Sequence, residues 1–192
     1  NIMTFFIVPM IAGLVLIRKN VILIISNSKY IDATQSLSIL SFALFFAVTA
    51  NIIANGLLVI LNKEKYVVIG TTASATINII LNFALIPLLG QNGAALTTLL
   101  AEATMLGISM WAAKNYLKNL IDIPEFLKAI VGSVIMFIVT DLIIPFLSTN
   151  VILNLVETVI IAVLIYFVSM FLIRDKILKM FINLAKEKLD RN

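Results

Sequence analysis

Six long apolar runs dominate the chain and leave it little choice of fold. They cover Ile2 to Ile17 with its continuation Val21 to Ile25, then Leu37 to Leu61, Tyr66 to Leu89, Ala94 to Ala113, Ala129 to Leu147 and Val151 to Ile173. A helix that crosses the hydrocarbon core of a bilayer needs roughly 20 apolar residues at about 1.5 Å each. Every run meets that length, the fifth narrowly. All are too long for strands, and none alternates as a half-buried strand does. Composition agrees. Of 192 residues, 61% are hydrophobic and 12% charged, whereas soluble domains average about 25% charged. A soluble enzyme, a disordered chain, a coiled coil and a collagen are excluded. The expected fold is all-α, a polytopic membrane bundle of six transmembrane helices.

The breaks between the runs carry the orientation. Lys63, Lys65, Lys114, Lys118, Lys128, Arg174, Lys176, Lys179, Lys186, Lys188 and Arg191 fall after spans two, four and six, leaving only Arg18, Lys19 and Lys29 of the 14 basic residues on the other side. The positive-inside rule places the larger set in the cytoplasm. The expected protein is a multi-pass protein of the cell membrane, with both ends of this chain cytoplasmic. No basic region precedes the first run, so it does not read as a signal peptide. With Asn1 in first place, the chain reads as a piece of something longer. Basic residues without a soluble domain point to a lipid bilayer as partner and not to nucleic acid.

Two absences narrow the chemistry. There is no Cys and no His, which removes disulfides, thiolate ligands, imidazole ligands and the usual proton switch near neutrality. No metal and no cofactor is expected, and proton chemistry falls to carboxylates or lysines.

The composition divides the chain into four parts. Residues 1–113 form a four-helix part. Residues 114–128 form a cytoplasmic interfacial loop mixing Tyr116, Leu117, Leu120, Ile121, Ile123 and Phe126 with charges, in which Pro124 can start the next helix. Residues 129–173 form an additional two-helix hairpin. Residues 174–192 form a basic amphipathic tail, with Ile177, Phe181 and Leu184 on one stripe, suited to a surface of anionic lipid.

Polar residues inside the runs are the functional candidates. Thr71, Ser74, Asn78 and Asn82 follow one another at helical spacing and fall on one stripe of span three. Unpaired amides facing lipid would cost several kcal/mol. The stripe therefore either hydrogen-bonds neighbouring helices, at about 1 kcal/mol per contact, or lines a wet cavity. Asn51 and Asn55 share a face of span two. Thr98, Glu102 and Ser109 share a face of span four, and Glu102 is an acid within a membrane span, which marks either function or a protonated or hydrogen-bonded helix contact. Asp141 and Glu157 lie equally far from the turn at Thr149, at about the same depth, on the order of 10 Å below it. A close pair would share a proton; a shallow one would only solvate its helix ends. Pro87 is expected to end span three, and Gly90 to Gly93 to make a tight turn, with Gly93-Ala94-Ala95 allowing close helix approach.

Asn78-Ile-Ile-Leu-Asn82, followed by Ile86-Pro87 and then Gly90-Gln-Asn-Gly93-Ala-Ala, resembles the signature of the polysaccharide flippases of the multidrug/oligosaccharidyl-lipid/polysaccharide exporter superfamily. Pro9 with Gly13-Leu14, and Leu37 with Ile39-Leu40-Ser41-Phe42, are similar to further stretches of that family. The resemblance covers about residues 5 to 113; the last two spans match only in number and hydropathy. It departs at Leu88-Leu89-Gly90, where the family often has Tyr-Gly. Full-length members have fourteen spans with cytoplasmic ends, and the present six resemble spans nine to fourteen, the C-terminal part.

The resemblance implies a flippase or exporter that moves a polyprenyl-pyrophosphate-linked glycan from the inner to the outer leaflet by alternating access, together with a missing N-terminal lobe of the same protein. It implies Asn78, Asn82, Glu102, Arg18 and Lys19 as lining of the substrate cavity, the last two beside the pyrophosphate unless they merely snorkel to headgroups. Glu102, Asp141 and Glu157 become candidates for ion coupling. The alternatives are a multidrug exporter of the same superfamily and a membrane-embedded polyprenyl-sugar glycosyltransferase or polymerase. Asp32 is the only acid in an outer loop and the outer breaks after spans three and five are uncharged, so a transporter is expected and not an enzyme.

Overall fold

The computed structural model describes residues 2–117 and 122–180. The regular elements among them are all helical: α1 (Ile2–Ile25), α2 (Ala33–Ile53), α3 (Glu64–Leu89), α4 (Gln91–Leu117), α5 (Ile123–Ile143) and α6 (Val151–Leu172). Short 3-10 turns sit at Ser28–Tyr30 and Ile144–Phe146, and a π turn, Ala54–Leu58, prolongs α2. Among the described residues six helices are long and apolar enough to cross a membrane.

Local chemistry sets the helix ends. Asp122 caps α5, accepting from the Glu125 N–H, with Pro124 in the first turn. Asn150 caps α6 by accepting from the N–H groups of Ile152 at 3.0 Å and Leu153 at 3.3 Å. Gly90 alone joins α3 to α4, at φ +56°, where side chains are disfavoured.

Several boundaries differ from expectation. Pro87 does not end α3, which runs on to Leu89; in a last turn proline forfeits one bond without breaking the helix. The expected four-residue turn shrinks to Gly90. Arg18, Lys19 and Asn20 do not interrupt α1, because one polar turn does not break a long helix. Residues 114–117 and 123–128, expected as part of an interfacial loop, are helical, while 118–121 lie outside the described residues. In the tail, Ile177 and Leu178 are buried, while 181–192, with Phe181 and Leu184, lie outside the described residues.

The helices form two compact units, one of α2, α3 and α4, the other of α1, α5 and α6. The sequence division set α1 with α2–α4; its contacts are with α5 and α6 instead. Pro9 supplies one reason. It has no N–H for the Phe5 carbonyl four residues earlier. The Tyr166 hydroxyl of α6 donates to that carbonyl at 2.6 Å, and the two rings meet edge to face at 5.4 Å. Asn20 adds another, its Nδ2 donating to Asn154 Oδ1 at 2.7 Å. Around these the core gathers Met136, Ala162, Met170, Ile177 and Leu178.

In the other unit α4 packs along both α2 and α3. Small residues permit it, as the Gly93-Ala94-Ala95 spacing predicts. A side chain at Gly93 would collide with the Leu85 carbonyl, and one at Gly70 would lie 2.6 Å from Met105 Sδ. At the Gly90 end, Asn92 ties α4 to α2 by accepting from Ser36 at 2.7 Å and donating to Gln35 at 3.0 Å. At the other end, Lys63 Nζ lies 4.9 Å from the Tyr116 ring centroid, and Tyr66 meets Trp111 edge to face.

Candidate functional site

The polar positions of three helices converge. Asn51 and Asn55 from α2 and its π turn, Thr71, Ser74 and Asn78 from α3, and Thr98 and Glu102 from α4 line one cleft of about 470 Å³. Their separation in sequence gives no hint of this. Periodicity turns each group to one face of its helix, and the shared support of α4 brings the faces together. Ala47, Ala50, Ala75 and Ala101 also line the cleft; with no larger side chains at these positions, the space between the walls stays open.

Hydrogen bonding splits the α3 stripe. Asn82 Oδ1 accepts from the fully buried Thr97 hydroxyl of α4 at 2.7 Å, and Asn82 Nδ2 donates to Asn78 Oδ1 at 2.9 Å. Asn82 thus joins α3 to α4 and is not part of the cleft lining. Asn78 is in the lining, its carbonyl held by Asn82. The hydroxyls of Thr71 and Thr98 bond back to their own helices. The Ser74 hydroxyl, the amides of Asn51 and Asn55, the Asn78 Nδ2 group and the Glu102 carboxylate have no protein partner among the described residues. Polar groups buried dry and unpaired cost several kcal/mol, so a cleft of this kind holds water or a hydrogen-bonding ligand. No basic side chain lines it. Its amides, hydroxyls and carboxyl suit the hydroxyls or amides of a ligand, or a cation. Among the described residues no three His, Cys, Asp or Glu side chains converge as a metal site.

The other candidates stand elsewhere. Arg18 and Lys19 belong to α1 and do not line the cleft. Arg18 Nη1 donates to the Val15 carbonyl of its own helix at 2.6 Å, and Lys19 is exposed. The guanidinium bends back along α1 because helical side chains lean toward the N-terminus. Glu157 accepts from the Ser148 N–H at 2.9 Å and fixes the turn before α6. Asp141 is exposed on α5, and among the described residues no hydrogen bond joins the two carboxyls. The equal-depth argument left rotation about each helix undetermined, and rotation separates their roles.

Two polar groupings escaped the sequence reading. Asn154 stands in the most apolar run and bridges to Asn20; a lone amide in such a run was the available signal. The second grouping spans α5 and the residues after α6. The Glu125 carboxylate, almost fully buried, accepts from Lys128 Nζ at 2.8 Å and from the Lys176 N–H at 3.3 Å. Asp175, 1% exposed, accepts from the N–H groups of Ile177 at 2.8 Å and Leu178 at 2.9 Å. Burial pushes the Asp175 carboxyl above the usual carboxylate range, against the pull of those amides, and Glu125 alongside adds to the push. Fifty residues of separation hid this grouping from any spacing argument.

Comparison with protein-family models, with curated proteins and with solved structures finds no match for this chain.

Proposed function

We propose that the chain is the C-terminal part of a flippase of the cell membrane, one that carries a polyprenyl-pyrophosphate-linked glycan from the inner to the outer leaflet. The observation that carries the reading is the cleft: six helices fit to cross a bilayer, and three of them direct amides, hydroxyls and one carboxylate into a shared space. Polar lining at membrane depth suits passage of a polar group through hydrocarbon. In this reading the α2–α4 unit holds part of the headgroup, a second lobe of the same protein completes the cavity, and the prenyl tail stays in lipid. Both ends of this chain lie in the cytoplasm, and the protein moves its substrate without chemical change.

The test is translocation by the complete transporter. Asn78→Leu and Glu102→Gln reduce headgroup translocation by on the order of tenfold or more while membrane abundance stays near wild type. Asn82→Leu lowers abundance and activity together, since it removes the bond to buried Thr97. Wild-type translocation by both cleft variants would refute the reading.

One observation favours a second reading. Glu102 faces a cleft with no basic residue, which suits a cationic substrate and hence drug export. Loss of resistance to organic cations in Glu102→Gln, with glycan translocation intact, would select it.

A further inference from the structure

The charged residues at the end of α6 are unevenly paired. Lys128 is taken by Glu125 at 2.8 Å, and Lys176 by Asp122 at 3.2 Å and Glu125 at 3.6 Å. Asp175 Oδ1 accepts from two backbone N–H groups, and Oδ2 is buried with no hydrogen-bond partner among the described residues. Arg174 and Lys179 have no acidic partner among the described residues, and both are exposed. They border a recess of about 320 Å³ whose other walls are Met170, Phe171, Asp175 and Leu178. The recess is therefore apolar on the helix side and cationic at its rim.

Its position is equally specific. The apolar length of α6 ends at Leu172, so the rim stands where hydrocarbon would give way to headgroups. The turn is built to put a cation there. The Asp175 N–H reaches back to the Met170 carbonyl at 3.1 Å, the helix-ending arrangement that favours glycine just before it. That position is Arg174, at φ +57°. An arginine occupies a backbone conformation that disfavours side chains, and its guanidinium gains the edge of the recess.

We propose that this recess binds the phosphate headgroup of an anionic phospholipid, with Arg174 and Lys179 flanking the phosphate and an acyl chain lying along Met170 and Phe171. Charge complementarity and the apolar wall select a lipid over a free anion, because a free phosphate gains nothing from Met170 or Phe171. Asp175 does not oppose it strongly: one carboxylate oxygen is bound by amides, and burial disfavours its charge.

The test uses the full chain in phosphatidylcholine vesicles with a trace of spin-labelled lipid. Spin-labelled phosphatidylglycerol is expected to be held at the protein surface in preference to spin-labelled phosphatidylcholine, by roughly fivefold for each cation engaged. Arg174→Gln with Lys179→Gln abolishes the preference. Lys29→Gln with Lys114→Gln removes the same charge from exposed positions elsewhere and preserves it. Lys179→Gln alone, at a helical position outside the strained turn, halves the preference or more, and serves if the double variant fails to fold. A preference retained in the variants, or lost equally in the control pair, overturns the proposal. So does displacement of the labelled lipid by inorganic phosphate at millimolar strength, which would mark a free-anion site.

Discussion

In the α1–α5–α6 unit most polar side chains within the apolar runs are bonded to backbone or to each other, the buried Thr140 hydroxyl excepted; in the α2–α4 unit several face open space. Tyr166 serves the carbonyl that Pro9 frees, Asn20 meets Asn154, and the Ser169 hydroxyl bonds to Tyr166 of its own helix. The groove on that unit, about 320 Å³, is walled by residues such as Phe6, Met10, Leu14, Val159 and Phe167. The cleft of the other unit has a carboxylate and four unpartnered amide or hydroxyl groups. Both units are made of the same apolar helices. One uses its polar residues to fix its own shape, and the other keeps them available.

The sharpest way to break this comparison is to attack helix approach. Gly93→Val drives a side chain into the Leu85 carbonyl and should destabilise the α2–α4 unit by about 3 kcal/mol or more. Gly13→Ala, inside α1 where an added Cβ meets nothing within 4 Å, should be neutral or stabilise by up to about 1 kcal/mol. Thermal unfolding of the purified variants reads both. Equal effects would mean that the close approach of α3 and α4 is not as described.

A smaller effect tests the self-satisfied unit. Tyr166→Phe removes the hydroxyl that serves the Phe5 carbonyl and should cost about 1–3 kcal/mol. Pro9→Ala restores a backbone N–H to the same carbonyl, so the second substitution should recover much of the loss. A double-mutant cycle showing no coupling would contradict the account. Asn78→Ala, in the cleft, should shift stability far less than Tyr166→Phe, and under the proposed function it should also lower transport.

The smallest effect is a pH dependence. The raised pKa of Asp175 means that the folded chain holds its proton more tightly than the unfolded chain. This contribution to stability is fully present below the ordinary carboxylate pKa and is lost as pH rises through the raised folded value. Glu125 and Tyr166 interact with the group, and Arg174 and Lys179 share its recess. Asp175→Asn keeps an acceptor for the Ile177 and Leu178 N–H groups and removes the titration. Its melting temperature should fall less than that of the wild type as pH is raised from the ordinary carboxylate pKa, about 4, toward neutrality. An unaltered profile would dissociate Asp175 from the effect.

Much of the fold was legible because hydrophobic length is a local property. Each apolar run became one helix, and the 3.6-residue period placed Asn78 and Glu102 on faces that meet. What period alone does not encode is partnership. Asn78 and Asn82 share a stripe, yet Thr97 claims only Asn82. Pro9 reads as a helix blemish until Tyr166, far along the chain, is seen to answer it. Glu125 and Asp175 look like ordinary surface acids in sequence, and only the return of the chain after α6 buries them side by side. The helix ends were misjudged for a related reason: Pro87 and the Arg18-Lys19-Asn20 turn are tolerated because the surrounding helix outweighs a single unfavourable residue.

The central claim is that the α2–α4 unit holds a wet polar cleft at membrane depth. Cysteine labelling measures this directly, since the chain has no native Cys. In membrane vesicles carrying the protein, Ser74→Cys, in the cleft lining, should react with a small, charged, membrane-impermeant thiol reagent within about tenfold of the rate at exposed Gln91→Cys. Phe83→Cys, 82% exposed on the outer face of α3, should be unreactive, because lipid covers it. Transport should fall as Ser74→Cys is modified. Failure of Ser74→Cys to react, or reaction of Phe83→Cys at the same rate, would contradict the account.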